Sequence, residues 1–447
     1  MDRLKNLGTL KLSAIAAVAL ALVGLVTLIA IGGASAKRGA PGETMATMAF
    51  DQALAERGAY LATAANCVSC HTAPGGEAFA GGLSFETPFG LVYSTNITPD
   101  EATGIGSWTY EAFERSMRKG IGDGGEHLYP VFPYTSFAKI TPEDMKALFA
   151  YFQSLDPVES RPLSNDMQFP FDQRWMLGGW KLLFMEGGTY EPDMAQTEKW
   201  NRGAYLTQAL AHCAACHSPR NSFGAKKAGQ ELSGGIYMDK VPSGDNRKWS
   251  APNLTSAQSG IGHWTAEELV AYLKVGKNTH AAMFGPMNEV IGNSTRYLTT
   301  TDLEAMATYF KSLPPVAAAA RAQQASADKL GRGQTIYNIH CGTCHMPTGL
   351  GAPETGATLA GSPIVQAEDP ASLLNVIIYG PELPDPWPPI GDWGQMPSFN
   401  DTLKDDEIAA LASYMRQEWG HQAGEVTIEH VEVQRPPYDT DFQGLTE

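Results

Sequence analysis

From Leu12 to Ala36 the chain carries no charged residue, with Arg3, Lys5 and Lys11 before the run and Lys37-Arg38 after it. Such a run is long enough for a helix to cross a hydrocarbon core and longer than the apolar part of an ordinary export signal. It also ends at Ala34-Ser35-Ala36, which resembles a small-residue cleavage site. Residues 1–36 therefore read as a transmembrane or signal helix, and in either case Lys37 onward is exported, because the basic N-terminus stays in the cytoplasm. Downstream the pattern becomes amphipathic. Helices are expected from Ile140 to Phe152, Leu298 to Phe310 and Leu403 to Met415, with Met145, Leu148, Phe149 and Phe152 sharing one face of the first. Acids gather in the first turn of each, where they suit the helix dipole.

A second helix precedes each of these: the Arg-Gly pairs at Arg57, Arg202 and Arg332 stand before Ile140, Leu298 and Leu403. Arg57-Gly-Ala-Tyr-Leu61 recurs as Arg202-Gly-Ala-Tyr-Leu206, and more loosely as Arg332-Gly333 followed by Tyr337. Asn96-Ile-Thr with Gly104-Ile-Gly-Ser-Trp108 likewise recurs as Asn253-Leu-Thr with Gly260-Ile-Gly-His-Trp264. The repeats predict three copies of one small helical unit over 50–158, 199–316 and 330–422. A linker over 159–198, rich in aromatics, is expected to pack, and a plainer one over 317–329 to act as a flexible or helical spacer. The tail, 423–447, is expected to lie extended on a surface. No strand pattern of any length competes, so the fold class is all-α. A length of 447 residues agrees with about three domains.

The chemistry sits at the end of each approach helix. Cys67-Val-Ser-Cys70-His71, Cys213-Ala-Ala-Cys216-His217 and Cys341-Gly-Thr-Cys344-His345 are C-x-x-C-H motifs, and they use all six cysteines of the chain. This is the attachment signature of c-type haem: two thioethers hold the porphyrin, and the adjacent histidine is the proximal iron ligand. Zinc would need its histidine spaced away from the cysteines to close a tetrahedron, and a thiol redox pair does not need a histidine after the second cysteine in every copy. Covalent haem attachment in bacteria occurs outside the cytoplasmic membrane, which agrees with export. The balance of 48 acidic and 32 basic residues, net −16, argues against nucleic acid as a partner.

What fills the second axial site decides between electron transfer and chemistry on a substrate. In the second unit Phe284-Gly-Pro-Met287 makes Met287 the candidate over Met283, and in the third Trp393-Gly-Gln-Met396-Pro397 makes Met396 the candidate. Core filling is the alternative role for any methionine. The first unit has Phe132 where a methionine is expected, so His127 is the candidate there, with Met167 or an open site as alternatives. Trp108 and Trp264 either pack in a core or donate to haem propionates.

Taken together, the three motifs, the repeated Arg-Gly-x-Tyr-Leu, the Gly-Ile-Gly-x-Trp segments and Tyr129-Pro-x-x-Pro-Tyr134 resemble the triheme cytochrome c subunit of membrane-bound periplasmic dehydrogenases of acetic acid bacteria and their relatives. The resemblance covers about 50–420. It implies three tandem class I cytochrome c domains carrying three haem c groups, with no substrate-oxidising site. The implied role is to pass electrons from a catalytic dehydrogenase subunit to ubiquinone at the periplasmic side of the cytoplasmic membrane. Known partners in the family are quinoprotein alcohol dehydrogenases, flavoprotein gluconate, fructose or sorbitol dehydrogenases, and molybdopterin aldehyde dehydrogenases with a small iron–sulfur subunit. The wording His127-Leu-Tyr-Pro-x-Phe-Pro-Tyr looks more like the molybdenum type. Two readings of other classes stand beside this one: a peroxidase-like enzyme using an open first haem, and a free electron shuttle.

Overall fold

The computed structural model describes residues 51–240, 246–316, 323–352, 355–383 and 395–435. The helix expected over 1–36 lies outside them, as do 317–322 of the second linker and the end of the tail. No helix among the described residues is long and apolar enough to cross a membrane. The chain divides into two compact units, one of residues 1–61 with 70–190, the other of residues 62–69 with 191–447.

In the first unit α1 (Gln52–Ala64) carries the first Arg-Gly pair. Strands β1 (Ser84–Thr87) and β2 (Gly90–Tyr93) form an antiparallel hairpin. Helix α2 (Tyr110–Lys119) starts where Thr109 accepts from the Ala112 amide and stops at Gly120, whose φ of 58° suits a residue without a β-carbon. Helix α3 (Pro142–Gln153) is capped by Thr141 and has proline in its first turn. It buries Met145, Leu148, Phe149 and Phe152, the face expected from the pattern. Strand β3 (Asp166–Met167) then adds to β2, and α4 (Met176–Phe184) follows.

The second unit opens with α5 (Glu198–Tyr205), which widens into a π turn over Leu206–Leu210. A hairpin of β4 (Gly235–Lys240) and β5 (Asn246–Ala251) precedes α6 (Ala266–Val275), α7 (Met287–Asn293) and α8 (Thr300–Ser312). Then come α9 (Ala327–His340), α10 (Ala371–Tyr379), α11 (Asp405–Gln417) and α12 (Ile428–Gln434). Within this unit residues 62–69 lie against α7 and its end, Asn293 donating to Ser69 Oγ at 2.8 Å and Ser294 to the Ala64 carbonyl at 3.3 Å.

One crossing recurs three times and explains the repeated Arg-Gly. A β-carbon on Gly58 would fall 1.9 Å from the Ala147 carbonyl oxygen, on Gly203 1.9 Å from that of Ala305, and on Gly333 2.2 Å from that of Ala410. Glycine lets the approach helix touch the backbone of the closing helix. The preceding arginine then reaches the first turn of that helix: Arg57 Nε donates to Asp144 at 2.7 Å, Arg202 grips Asp302 through two bonds of 2.8 and 2.7 Å, and Arg332 donates to Asp406 at 2.7 Å. Asp144 and Asp302 are buried, so these pairs fix the helices at a chosen register.

Three expectations are corrected. The fold is mostly helical but not all-α, because β1 to β5 build two small sheets; β1 to β3 are only two to four residues long, and β4 and β5 do not alternate apolar with polar residues. Over its described residues, 423–435, the tail is not extended: Val426 and Val431 are fully buried in the core made by α9, α10 and α11, and α12 covers it. The first linker packs only in part. Trp180 meets Tyr134 at 6.5 Å, whereas Phe169, Leu182 and Leu183 are exposed.

Candidate functional site

Each C-x-x-C-H motif forms a single tight turn, over Cys67–Cys70, Cys213–Ala215 and Gly342–His345. That turn puts the two sulfurs of each motif on one side. In the first two copies the approach helix is ended by a residue in left-handed backbone, Asn66 at φ 52° and His212 at φ 38°. No disulfide joins any of the six cysteines, all of which are among the described residues.

The three motif histidines share one arrangement. Nδ1 of His71 lies 2.7 Å from the Thr95 carbonyl oxygen, Nδ1 of His217 2.8 Å from that of Pro252, and Nδ1 of His345 2.8 Å from that of Ala357. A carbonyl only accepts, so Nδ1 carries the proton and Nε2 presents its lone pair, the tautomer an axial iron ligand needs. Burial lowers the pKa of all three rings below the ordinary histidine range, which keeps that lone pair available.

Burial also pushes the Cys213 thiol up to about 12, Cys216 to about 11 and Cys341 to about 12. A thiol redox pair or a zinc thiolate needs the opposite shift. Among the described residues no three His, Cys, Asp or Glu side chains gather as a metal cage. Two buried indoles add to the fit with haem. Trp264 Nε1 and Trp249 Nε1 find no protein acceptor among the described residues, although an indole N–H is usually satisfied when buried. Trp249 also packs on the backbone of Gly285, in the loop that leads to Met287. Haem c, with its two propionates, suits these donors, these histidines and these cysteine pairs.

The two methionines of the second unit part company. Met283 is fully buried, its sulfur against Gly276. Met287 is half-buried at the first position of α7, after Pro286. Met396 is half-buried at the edge of the third core, with its carbonyl oxygen close to Gly380 at the end of α10.

In the first unit Phe132 packs edge-on against Phe137 at 5.5 Å, filling with hydrocarbon the place where a thioether is expected. His127 is buried, contrary to a solvated loop residue. Its Nδ1 is 3.0 Å from Lys181 Nζ, and its carbonyl accepts from Arg174 at 2.9 Å. Lys181 also donates to the Lys119 and Gly120 carbonyls, and burial lowers its pKa to about 7. Ligation through His127 Nε2 requires the proton on Nδ1, with Lys181 accepting it as the neutral amine. Met167 is half-buried on β3. The contacts that orient His127 come from positions some fifty residues later, which no local motif announces.

Known proteins resemble the chain along most of its length. The cytochrome c family matches residues 55–156, and the family described as cytochrome C oxidase, cbb3-type, subunit III matches residues 328–415. The chain is 42% identical over 374 residues to a nicotinate dehydrogenase subunit of Pseudomonas putida, covering 82% of this chain but 30% of that relative, so it spans under a third of the relative's length. It is 38% identical over 396 residues to the cytochrome c subunit of the quinone alcohol dehydrogenase of Gluconacetobacter polyoxogenes, covering 85% of this chain and 84% of the relative. To the gluconate 2-dehydrogenase cytochrome c subunit of Pantoea cypripedii it is 36% identical over 406 residues, covering 85% and 89%.

Proposed function

The chain belongs to the family of cytochrome c subunits of alcohol, gluconate and fructose dehydrogenases, and on that premise we propose that it is a three-haem relay between a catalytic dehydrogenase subunit and ubiquinone. The observation that carries the reading is the same histidine arrangement at all three motifs, His71, His217 and His345 each donating Nδ1–H to a backbone carbonyl. Haem c bound there supplies reversible one-electron iron chemistry.

The residues divide the work. Cys67, Cys70, Cys213, Cys216, Cys341 and Cys344 tether the three groups, and the three histidines hold the proximal side. Met287 and Met396 would hold the second and third irons opposite the histidines, an arrangement that suits electron transfer. His127 is the proposed distal residue of the first, supported by its burial. Its test is low-temperature electron paramagnetic resonance of His127→Ala, where three unchanged low-spin signals would remove His127 from the ligand set. Trp264 and Trp249 would offer their buried N–H groups to propionates of a haem at the second motif.

The proposed location is the periplasmic side of the cytoplasmic membrane, with residues 1–36 as anchor or signal. The proposed partner is a molybdopterin aldehyde dehydrogenase with a small iron–sulfur subunit, supported by the His127-Leu-Tyr-Pro-x-Phe wording. A second reading, a dehydrogenase of heteroaromatic acids, is favoured by the 42% identity to a nicotinate dehydrogenase subunit. Purification from native membranes in mild detergent tests both. A co-purifying molybdopterin protein with a small iron–sulfur subunit and turnover with an aldehyde support the first, and turnover with nicotinate supports the second. A quinoprotein or flavoprotein partner would overturn the first, and release by salt alone would leave a free shuttle.

A further inference from the structure

The backbone that supports the second motif's histidine is held from the region of the third. Strand β5 runs into Pro252, whose carbonyl accepts from His217. Two residues earlier, Ser250 exchanges three hydrogen bonds with Ser372 at the start of α10: Ser250 N to Ser372 Oγ at 2.9 Å, Ser372 N to Ser250 Oγ at 3.0 Å, and Ser372 Oγ to the Ser250 carbonyl at 2.9 Å. Both serines are buried, so each bond replaces water that cannot enter. The same strand is gripped along its length. Asn375 donates to the Lys248 carbonyl at 2.9 Å, Lys248 pairs with Asp369, and Arg247 pairs with Glu382 while its guanidinium lies 3.4 Å over the Tyr379 ring.

The reverse hold exists at the other histidine. Thr358 follows Ala357, the acceptor of His345, and its hydroxyl is shared between the Leu350 carbonyl at 2.8 Å and the Thr279 carbonyl at 3.2 Å. Thr279 is bonded to Glu268, and the neighbouring His280 stacks on Trp264 at 5.4 Å. The segments that orient the two proximal histidines are therefore each fastened to the opposite domain. Surface docking of independent domains would place its contacts anywhere. Here the Ser250–Ser372 bonds fall two residues from Pro252, and the Thr358–Thr279 contact falls one residue from Ala357.

We infer that the haems of the second and third motifs form a fixed, directly exchanging pair, with Ser372 and Thr358 as the positioning residues that set their geometry. The inference rests on the proposal that both motifs carry haem. In each exchange one electron leaves ferrous iron at one motif and reduces ferric iron at the other, and no bond forms or breaks.

The test uses the full haem-loaded chain with Ser372→Ala, Thr358→Val and, as a control, Arg332→Gln, which loosens the α9–α11 crossing without touching these loops. Three readouts are taken: haem content, the low-spin electron paramagnetic resonance of the second and third haems, and the rate of electron equilibration between them after flash reduction. The expected result is full haem content in every variant. Ser372→Ala and Thr358→Val should shift those resonances and slow exchange by about tenfold, Ser372→Thr should restore both, and Arg332→Gln should change neither. Unaltered resonances and exchange in Ser372→Ala, or in Thr358→Val if the first fails to accumulate, would overturn the pairing. Equal slowing in Arg332→Gln would also overturn it, by reducing the serines to general stability. A wild-type chain lacking haem at the second or third motif would instead refute the functional reading beneath it.

Discussion

Gly203 lies so close to Ala305 that a β-carbon on it would stand 1.9 Å from the Ala305 carbonyl oxygen. Backbone cannot yield there as a side-chain tip can. Gly203→Ala is expected to destabilise the second unit by about 3 kcal/mol, at the upper end of overpacking costs, because α5 must move off α8. Chemical denaturation followed at the second unit's Trp200, which packs on Tyr309 of α8, checks this. An alanine variant as stable as the parent would show that the crossing is not tight.

Among the described residues Arg416 is the largest fully buried side chain. It donates to four carbonyls, those of Gly424 at 2.9 Å, Val365 at 3.1 Å, Ala367 at 2.8 Å and Glu368 at 3.3 Å. The bond to Gly424 holds the tail segment against α11, and the other three tie α11 to the segment over 365–368. Arg416→Met fills part of the volume but leaves the acceptors bare, with an expected loss of about 3 kcal/mol. Hydrogen exchange should localise the loss to α11 and to the segment from Gly424 through α12.

Trp264→Phe keeps the packing against Tyr272 and His280 but removes the buried N–H. If that N–H neutralises a propionate, its loss leaves more negative charge beside the iron and favours the ferric state. The midpoint potential of the second haem should fall by roughly 60 mV or less, with stability nearly unchanged. A spectroelectrochemical titration reads the shift, and an unmoved potential would return Trp264 to a packing role.

Met287→Ala should leave the second haem attached but open, so that carbon monoxide binds its ferrous form and the far-red methionine–iron absorption weakens. Met283→Ala, at a fully buried site, should instead lower stability by about 3 kcal/mol without admitting the gas. The reverse pattern would exchange the two roles.

The legible part of this molecule is what repeats. The three motifs, the approach helices and the face of α3 formed by Met145, Leu148, Phe149 and Phe152 are all readable because each depends on residues within a few turns. Arg57, Arg202 and Arg332 are visible as a repeat but their partners are not, since pairing with Asp144, Asp302 and Asp406 spans 87, 100 and 74 positions. Those acids read as helix-dipole residues, which is true and incomplete. The tail misleads because Pro436-Pro437 and its charges outweigh two valines five residues apart. His127 carries no local sign of burial, for Lys181 and Arg174 arrive from the linker.

The central claim is that all three C-x-x-C-H motifs hold covalent haem. Intact mass of the purified native chain, combined with the pyridine haemochrome spectrum and alkylation of free thiols, measures it directly. The account predicts three haems per chain and no alkylated cysteine. Two haems, with one motif's cysteine pair open to alkylation, would contradict it.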